Sequence, residues 1–357
     1  MAVCVAHFTP SFRALGFDVL VSRLQFINTN MSLPTFGFST TAEEVADTFA
    51  DQVRGKNVLV TGTSLNGIGF ETARAIAKYA NMVIITGYNS ERLQLSEDAI
   101  KKDIPNANIR QLNVDLTSLE SVRKAAAEVN GYPGPLHVLI HNAAYGGGPL
   151  KPTPDNLEPQ MATAQFGPFL LTKLLLPKIL AARSATYTPR VVIVASENHQ
   201  YAGVDLKTVV EVNPETYSTM GRYAEVKSAN ILFAAELARR AAGKLKAFSL
   251  HPGGEFVLFL FIALRNGHLT QHSFMSTGAL TPEGLPNEAM VKFKTIPQGA
   301  ATTVFAAFDT RIEDQSGSYL VDCVVANEKI APHCTNEETA KKLWEISEEV
   351  VGEKFTF

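Results

Sequence analysis

From residue 57 onward, short runs of aliphatic and β-branched residues alternate with longer stretches of helical periodicity. Few arrangements bury both kinds of segment. Parallel strands cannot be joined by a tight turn; they need a crossover of a dozen or more residues, which a helix supplies while covering one face of the sheet. The spacing predicts strands over 57–61, 82–86, 108–112, 136–140, 190–195 and 245–250, with a seventh near 318–321. Helices are expected over 67–80, 91–102, 118–130, 157–182, 223–242 and 336–351. The fold class is therefore α/β, a doubly wound, mostly parallel, seven-stranded sheet with helices on both faces.

With 357 residues and 46% hydrophobic content, the chain has ample material for one large core, and α/β folds of this size often form a single domain. We assign that domain to residues 51–357 and read 1–50 as an N-terminal extension, partly disordered or loosely docked. Residues 1–30 lack the charged start, long apolar stretch and small-residue cleavage site of a secretory signal. The 32 basic residues balance 35 acidic ones and form no dense run, so nucleic acid is not an expected partner. Cys4, Cys323 and Cys334 make no CxxC pair and read as reduced thiols of a cytoplasmic protein. His333 beside Cys334 offers too few convergent groups for a metal, and none is expected.

Strand 57–61 runs into Thr61-Gly-Thr-Ser-Leu-Asn-Gly-Ile-Gly69 and then a helix. Glycines there allow a tight turn and close backbone approach, so a pyrophosphate can sit on the amides at the positive end of the helix. Strand, glycine turn and helix in that order point to dinucleotide binding on a Rossmann-type sheet through Gly62, Gly67, Ile68 and Gly69. After the second strand the chain reads Thr86-Gly-Tyr-Asn-Ser-Glu-Arg92, with no carboxylate where one would hold a free adenosine ribose. Arg92 can instead reach a 2′-phosphate, which favours NADP over NAD. Asp115 and Asn142 follow the third and fourth strands. The first can accept from the adenine amine or cap the next helix; the second can tie neighbouring backbones and line the ribose.

Ser196 ends the fifth strand, and Tyr223 and Lys227 stand four residues apart on the helix that follows, on one face. A nearby ammonium is expected to lower the phenol; moving it from ~10 to about 7 needs roughly 4 kcal/mol at ~1.36 kcal/mol per unit, which the lysine and an oxidised nicotinamide ring together are expected to supply. The Ser196 hydroxyl can hold a carbonyl while the phenol gives its proton, the general-acid arrangement that hydride delivery to a ketone requires. Ser196 is not read as a nucleophile, since no Gly-x-Ser-x-Gly elbow surrounds it. Segments 200–222 and 253–296 emerge at the carboxyl ends of strands and are candidate substrate loops. The second holds nine apolar residues, Phe256 to Leu264, too few to span a bilayer and read as a lid over an apolar pocket. A plain core helix is the next alternative for this run, and peripheral membrane contact through it or residues 1–30 the last.

Over about residues 55 to 350 the chain resembles the short-chain dehydrogenase/reductase family, specifically its retinol-dehydrogenase-like members with bulky hydrophobic substrates. The landmarks occur in order: the glycine turn, Asp115-Leu116, His141-Asn142-Ala143-Ala144, Ser196, Tyr223 with Lys227, and Pro252-Gly253. Lys227-Ser-Ala-Asn-Ile-Leu-Phe and Glu236-Leu-Ala-Arg look like fungal members, many of which act in secondary metabolism. The resemblance implies that Tyr223 is the proton donor, that Lys227 also binds the nicotinamide ribose, that Ser196 polarises the carbonyl, and that Pro252 and Gly253 line the cofactor. It also implies a homodimer formed through the helices at 157–182 and 223–242. The chain departs from the family pattern in three places. Four residues, not three, separate Gly62 from Gly67, Val257 stands where the family usually has threonine, and Ala164 replaces the asparagine that fixes a water linking the lysine to solvent. Two readings follow: an NADP(H)-dependent oxidoreductase acting on a hydrophobic carbonyl or alcohol, or a catalytically weak NADP-binding relative.

Overall fold

The computed structural model describes residues 33–145, 150–212, 214–253 and 294–357. The extension over 1–30, Val257 and the apolar run at 256–264 lie outside these residues. Helices α1 (Ala42–Thr48) and α2 (Ala50–Val53) precede β1 (Asn57–Val60), α3 (Ile68–Ala77), β2 (Met82–Gly87), α4 (Ser90–Asp103), β3 (Ile109–Asn113) and α5 (Leu119–Gly131). β4 (Val138–His141) leads into a short turn α6 (Pro159–Met161), a π-helical turn at Ala162–Phe166 and α7 (Gly167–Leu180). Next come β5 (Arg190–Val194), α8 (Thr219–Ala241), β6 (Lys246–His251), α9 (Ile296–Phe308), β7 (Tyr319–Val321), β8 (Val324–Val325) and α10 (Glu337–Val351).

Among the described residues the strands form one sheet in the order β3-β2-β1-β4-β5-β6-β7-β8, parallel throughout except for the closing hairpin β7–β8. The sheet is thus the expected doubly wound one with an eighth, two-residue strand. That strand could not be foreseen, because Val324–Val325 is too short to carry an alternating pattern. Side chains alternate between faces as the strand period of two requires. Val58, Val60, Val83, Ile85, Val192 and Val194 face a core built with α1, α3, α4 and α9. Leu59, Ile84, Leu139, Val191 and Ile193 face the opposite core of α5, α7, α8 and α10.

The compact unit begins at Phe36, not at residue 51. Thr41 and Glu44 form a capping box that starts α1, and Ala42, Val45, Ala46 and Phe49 are buried in the first core. Phe36 meets Phe49 and Phe305 edge-on. The expected extension over 1–50 therefore ends early, because a seven-residue amphipathic helix is enough to seal the sheet beside α9. Helix α9 itself escaped the periodicity reading. Its sequence Ile-Pro-Gln-Gly-Ala-Ala-Thr-Thr-Val-Phe-Ala-Ala-Phe is buried on nearly every side, so no polar face marks the helical period.

The topology reverses direction between β1 and β4, the crevice where open α/β sheets take their ligands. The glycine turn, Asn142, Ser196 and Gly253 all lie at the carboxyl ends of their strands on this edge.

Candidate active site

The glycine turn is shaped by close contacts. Gly62 has φ +71°, and a Cβ there would lie 2.8 Å from the Cα of Ala143. At Gly69 a Cβ would lie 2.3 Å from both Asn142 Nδ2 and the Gly62 carbonyl oxygen. The extra residue between Gly62 and Gly67 is absorbed by Asn66 in the left-handed region, φ 62°, a conformation asparagine tolerates better than most residues. Thr86 fastens the turn to β2: its Oγ1 accepts from Gly62 N at 3.2 Å and its carbonyl accepts from Thr63 N at 3.0 Å. Six of the helices start under a Thr, Asn or Ser side-chain cap, at Thr41, Asn89, Ser118, Ser218, Thr295 and Asn336. Helix α3 starts at Gly67 without one. Its first amides are thus left for a ligand, and the glycine cradle fits a dinucleotide pyrophosphate. Ile68, the first residue of α3, is buried beneath it.

Asn142 does what its position suggests. Its Nδ2 donates to the carbonyls of Thr61 at 2.9 Å and Gly62 at 3.0 Å, stitching β4 to β1. Thr61, whose role no sequence motif marks, completes the stitch: its Oγ1 accepts from the backbone amides of Asn142 and Ala143, both at 3.0 Å. Asp115 accepts from Thr117 N at 2.9 Å and Thr117 Oγ1 at 2.7 Å, forming a turn, while Ser118 is the cap of α5. Arg92 lies exposed in the first turn of α4, its backbone amide donating to Asn89. Pro252 and Gly253 follow β6; Gly253 has φ +106°, and a Cβ there would press to 2.5 Å from Lys294 Cδ.

Ser196 caps a 3-10 turn at Glu197–Gln200, its Oγ accepting from Asn198 N at 3.2 Å. His199 anchors it from behind. The amide of Ala331 donates to His199 Nε2, so Nδ1 carries the ring proton and donates to the Ser196 carbonyl at 2.7 Å. Helix α8 starts at Thr219, earlier than the sequence suggested, under a Ser218 cap, which places Tyr223 in its second turn. Burial pushes the Tyr223 phenol up, and a hydrogen bond with the Ser196 side chain works the other way. Ser196 and Tyr223 thus lie near enough for their side chains to influence each other.

Lys227 is nearly fully buried; its Nζ donates to the Val194 carbonyl at 2.8 Å and stands 5.4 Å from the centre of the Tyr223 ring. Burial lowers its pKa to about 8. The lysine alone does not lower the phenol: Tyr223 moves upward, because burial dominates and the ammonium is directed at a backbone carbonyl, so the expected lowering depends on the oxidised nicotinamide ring as well.

A buried ionic network that the sequence did not reveal holds the start of α8. Arg222 pairs with Glu225 at 2.7 Å, lies 3.9 Å from Glu158 and donates to the Thr208 carbonyl at 3.1 Å. Glu158 also accepts from the Tyr217 hydroxyl at 3.1 Å. The segment that precedes Tyr223 is therefore pinned to α6 and α8 next to the proton donor. No single position signals this, since Arg222 and Glu158 are far apart in sequence.

A family model described as short chain dehydrogenase matches residues 56–208, which ends before Tyr223. Whole-chain relatives carry the comparison further. Short-chain dehydrogenase TIC 32 A, chloroplastic, of Brassica napus is 32% identical over 323 residues, covering 88% of this chain and 94% of that protein. This chain belongs to the short-chain dehydrogenase/reductase family. Short-chain dehydrogenase/reductase prx1 of Penicillium rubens is 32% identical over 308 residues, covering 83% of this chain and 85% of that one. Among solved structures, a short chain dehydrogenase of Escherichia coli CFT073 complexed with NADPH aligns with a TM-score of 0.55 at 22% identity, over 76% of this chain and 98% of that one. L-Sorbose reductase of Gluconobacter frateurii, complexed with NADPH and L-sorbose, aligns with a TM-score of 0.55 at 19% identity, over 75% and 95%. Such structures share the fold. As a short-chain dehydrogenase/reductase, the chain is an oxidoreductase of an NAD(P)-binding family. No helix among its described residues is long and apolar enough to cross a membrane.

Proposed function

We propose that this protein is an NADP(H)-dependent reductase of the retinol-dehydrogenase-like kind, acting on the carbonyl of a hydrophobic small molecule, or on the alcohol in reverse, in fungal secondary metabolism. The observation that carries the proposal is Lys227, buried with its Nζ 5.4 Å from the centre of the Tyr223 ring and donating to the Val194 carbonyl at the end of the strand that leads to Ser196, together with an α3 whose start has no side-chain cap. A bound NADPH supplies the hydride. Ser196 holds the carbonyl oxygen, Tyr223 gives that oxygen its proton, and Lys227 holds a positive charge beside the phenolate that remains.

Preference for NADP rests on Gly87, Tyr88 and Asn89, which bring no carboxylate to the end of β2, and on exposed Arg92 in the next turn. Both NADPH-bound fold neighbours agree with that preference. The hydrophobic substrate class rests on the retinol-dehydrogenase-like resemblance; a groove of about 230 Å³ lined from 150–158 and 210–214 includes none of Ser196, Tyr223 and Lys227. Glu158, which also lines it, connects it through Arg222 to the start of α8. The catalytically weak alternative draws on Ala164 and on the raised phenol. NADPH consumption, compared with NADH, against a panel of hydrophobic ketones decides between them. Turnover with NADPH preferred is expected; NADPH binding without turnover on any ketone refutes the reductase reading.

A further inference from the structure

The chain passes through a π-helical turn at Ala162–Phe166, and the residue four places after Ala164 is Pro168, which has no N–H to give the Ala164 carbonyl. Asn230 of α8 supplies one, its Nδ2 donating to that carbonyl at 2.6 Å. Committing the amide nitrogen to Ala164 fixes the other end of the side chain. Asn230 is almost wholly buried, and its Oδ1 has no hydrogen-bond partner among the described residues. A buried acceptor without a donor bears a desolvation penalty, so something is expected to offer it a hydrogen. One turn earlier on the same helix face is Lys227, whose ammonium has three hydrogens, one of them given to Val194. A surplus of donors and an unused acceptor thus stand a helical turn apart.

We infer that Asn230 is a positioning residue for proton return: its Oδ1 holds a water that also contacts Lys227 Nζ. The inference rests on the reductase reading, since only turnover consumes the Tyr223 proton. In each cycle Tyr223 loses its proton to the substrate oxygen. Lys227 then passes one of its own to the phenolate and takes a proton back from the water, which solvent resupplies, so no charge accumulates. Ala164 therefore does not mark a broken relay, because the amide is supplied from α8 while the π-turn offers only its backbone.

The test uses the full-length protein with NADPH and whichever ketone the panel identifies. Asn230→Leu is expected to leave the first single turnover and the NADPH dissociation constant within about twofold of wild type, because Tyr223 starts protonated. Its steady-state kcat falls about tenfold or more, with a larger solvent isotope effect. Adding Ala164→Asn recovers part of that kcat, a rescue that mere loss of packing would not give. A crystal structure of the wild-type complex with NADP is expected to hold a water bonded to both Asn230 Oδ1 and Lys227 Nζ. Unchanged steady-state turnover in Asn230→Leu overturns the inference alone, and so does a crystal structure in which another side chain fills Oδ1. No turnover by wild type overturns both the inference and the reductase reading.

Discussion

Lys227 sets stability against activity. Burial takes its pKa from 10.5 to about 8, so at neutral pH the folded protein holds a charged lysine in an environment that disfavours it. At ~1.36 kcal/mol per unit, the penalty is on the order of 3 kcal/mol. The sign follows from proton counting. Between pH 8 and 10.5 the unfolded chain binds more protons than the folded one, so this lysine's contribution to stability rises with pH and is complete above 10.5. Lys227→Met is expected to lose turnover by at least about a hundredfold while melting at the same temperature as wild type or higher at pH 7, with the gap closing toward pH 10. Thermal melts at the two pH values check it; a Met variant that melts well below wild type at pH 7 contradicts this account. Ser196, Tyr223 and Lys227 were legible in the sequence because their spacing and their places after strands are local signals. The balance of their charges was not, since the depth at which α8 buries Lys227 is a property of the assembled core.

At the scale of elements, the glycine turn and α3 form the part of the site where backbone geometry leaves least freedom. Asn142 lies against Gly69 so closely that any side chain must displace either its amide or the Gly62 carbonyl. Gly69→Ala is expected to cost about 1–3 kcal/mol of stability by overpacking and to weaken NADPH binding at least tenfold, read by denaturation and by NADPH fluorescence titration. A variant that binds NADPH as wild type does would show that this contact is not what sets the cradle. Six strands could be placed from sequence to within a residue or two, because runs such as Val191–Val194 are buried on both faces and read as continuous apolar stretches. Helix α1 could not, being only seven residues long, and α9 lacks a polar face. Asn230 stood in plain view three residues after Lys227. Its use depends on a carbonyl 66 residues away that Pro168 cannot serve, which no pattern around Asn230 announces.

At the scale of the whole molecule, buried neutral histidines contribute to the loss of stability in acid. His141, at the end of the central β4, is fully enclosed. Thr172 Oγ1 gives its hydrogen to the Pro168 carbonyl, so His141 Nε2 donates to Thr172, and Nδ1 is left bare. Burial lowers His141 to about 3 and His251 to about 4. Unfolded, both titrate near 6.5, so their stability is complete above that pH and is lost as pH falls toward the folded values. At pH 5 the loss from His141 alone is about 2 kcal/mol. His141→Asn is expected to flatten the acid limb of a stability profile measured between pH 4.5 and 8, and an unchanged slope would show that other groups govern it. Activity is subject to burial as well, because burial also raises Tyr223, and proton transfer from that phenol is the central claim. The measurement that tests it most directly is stopped-flow NADPH oxidation with a hydrophobic ketone, run on wild type and Tyr223→Phe alongside NADPH titrations. The account predicts that the Phe variant binds NADPH within about twofold of wild type and loses turnover by at least about a thousandfold. Equal turnover by the two proteins would contradict it.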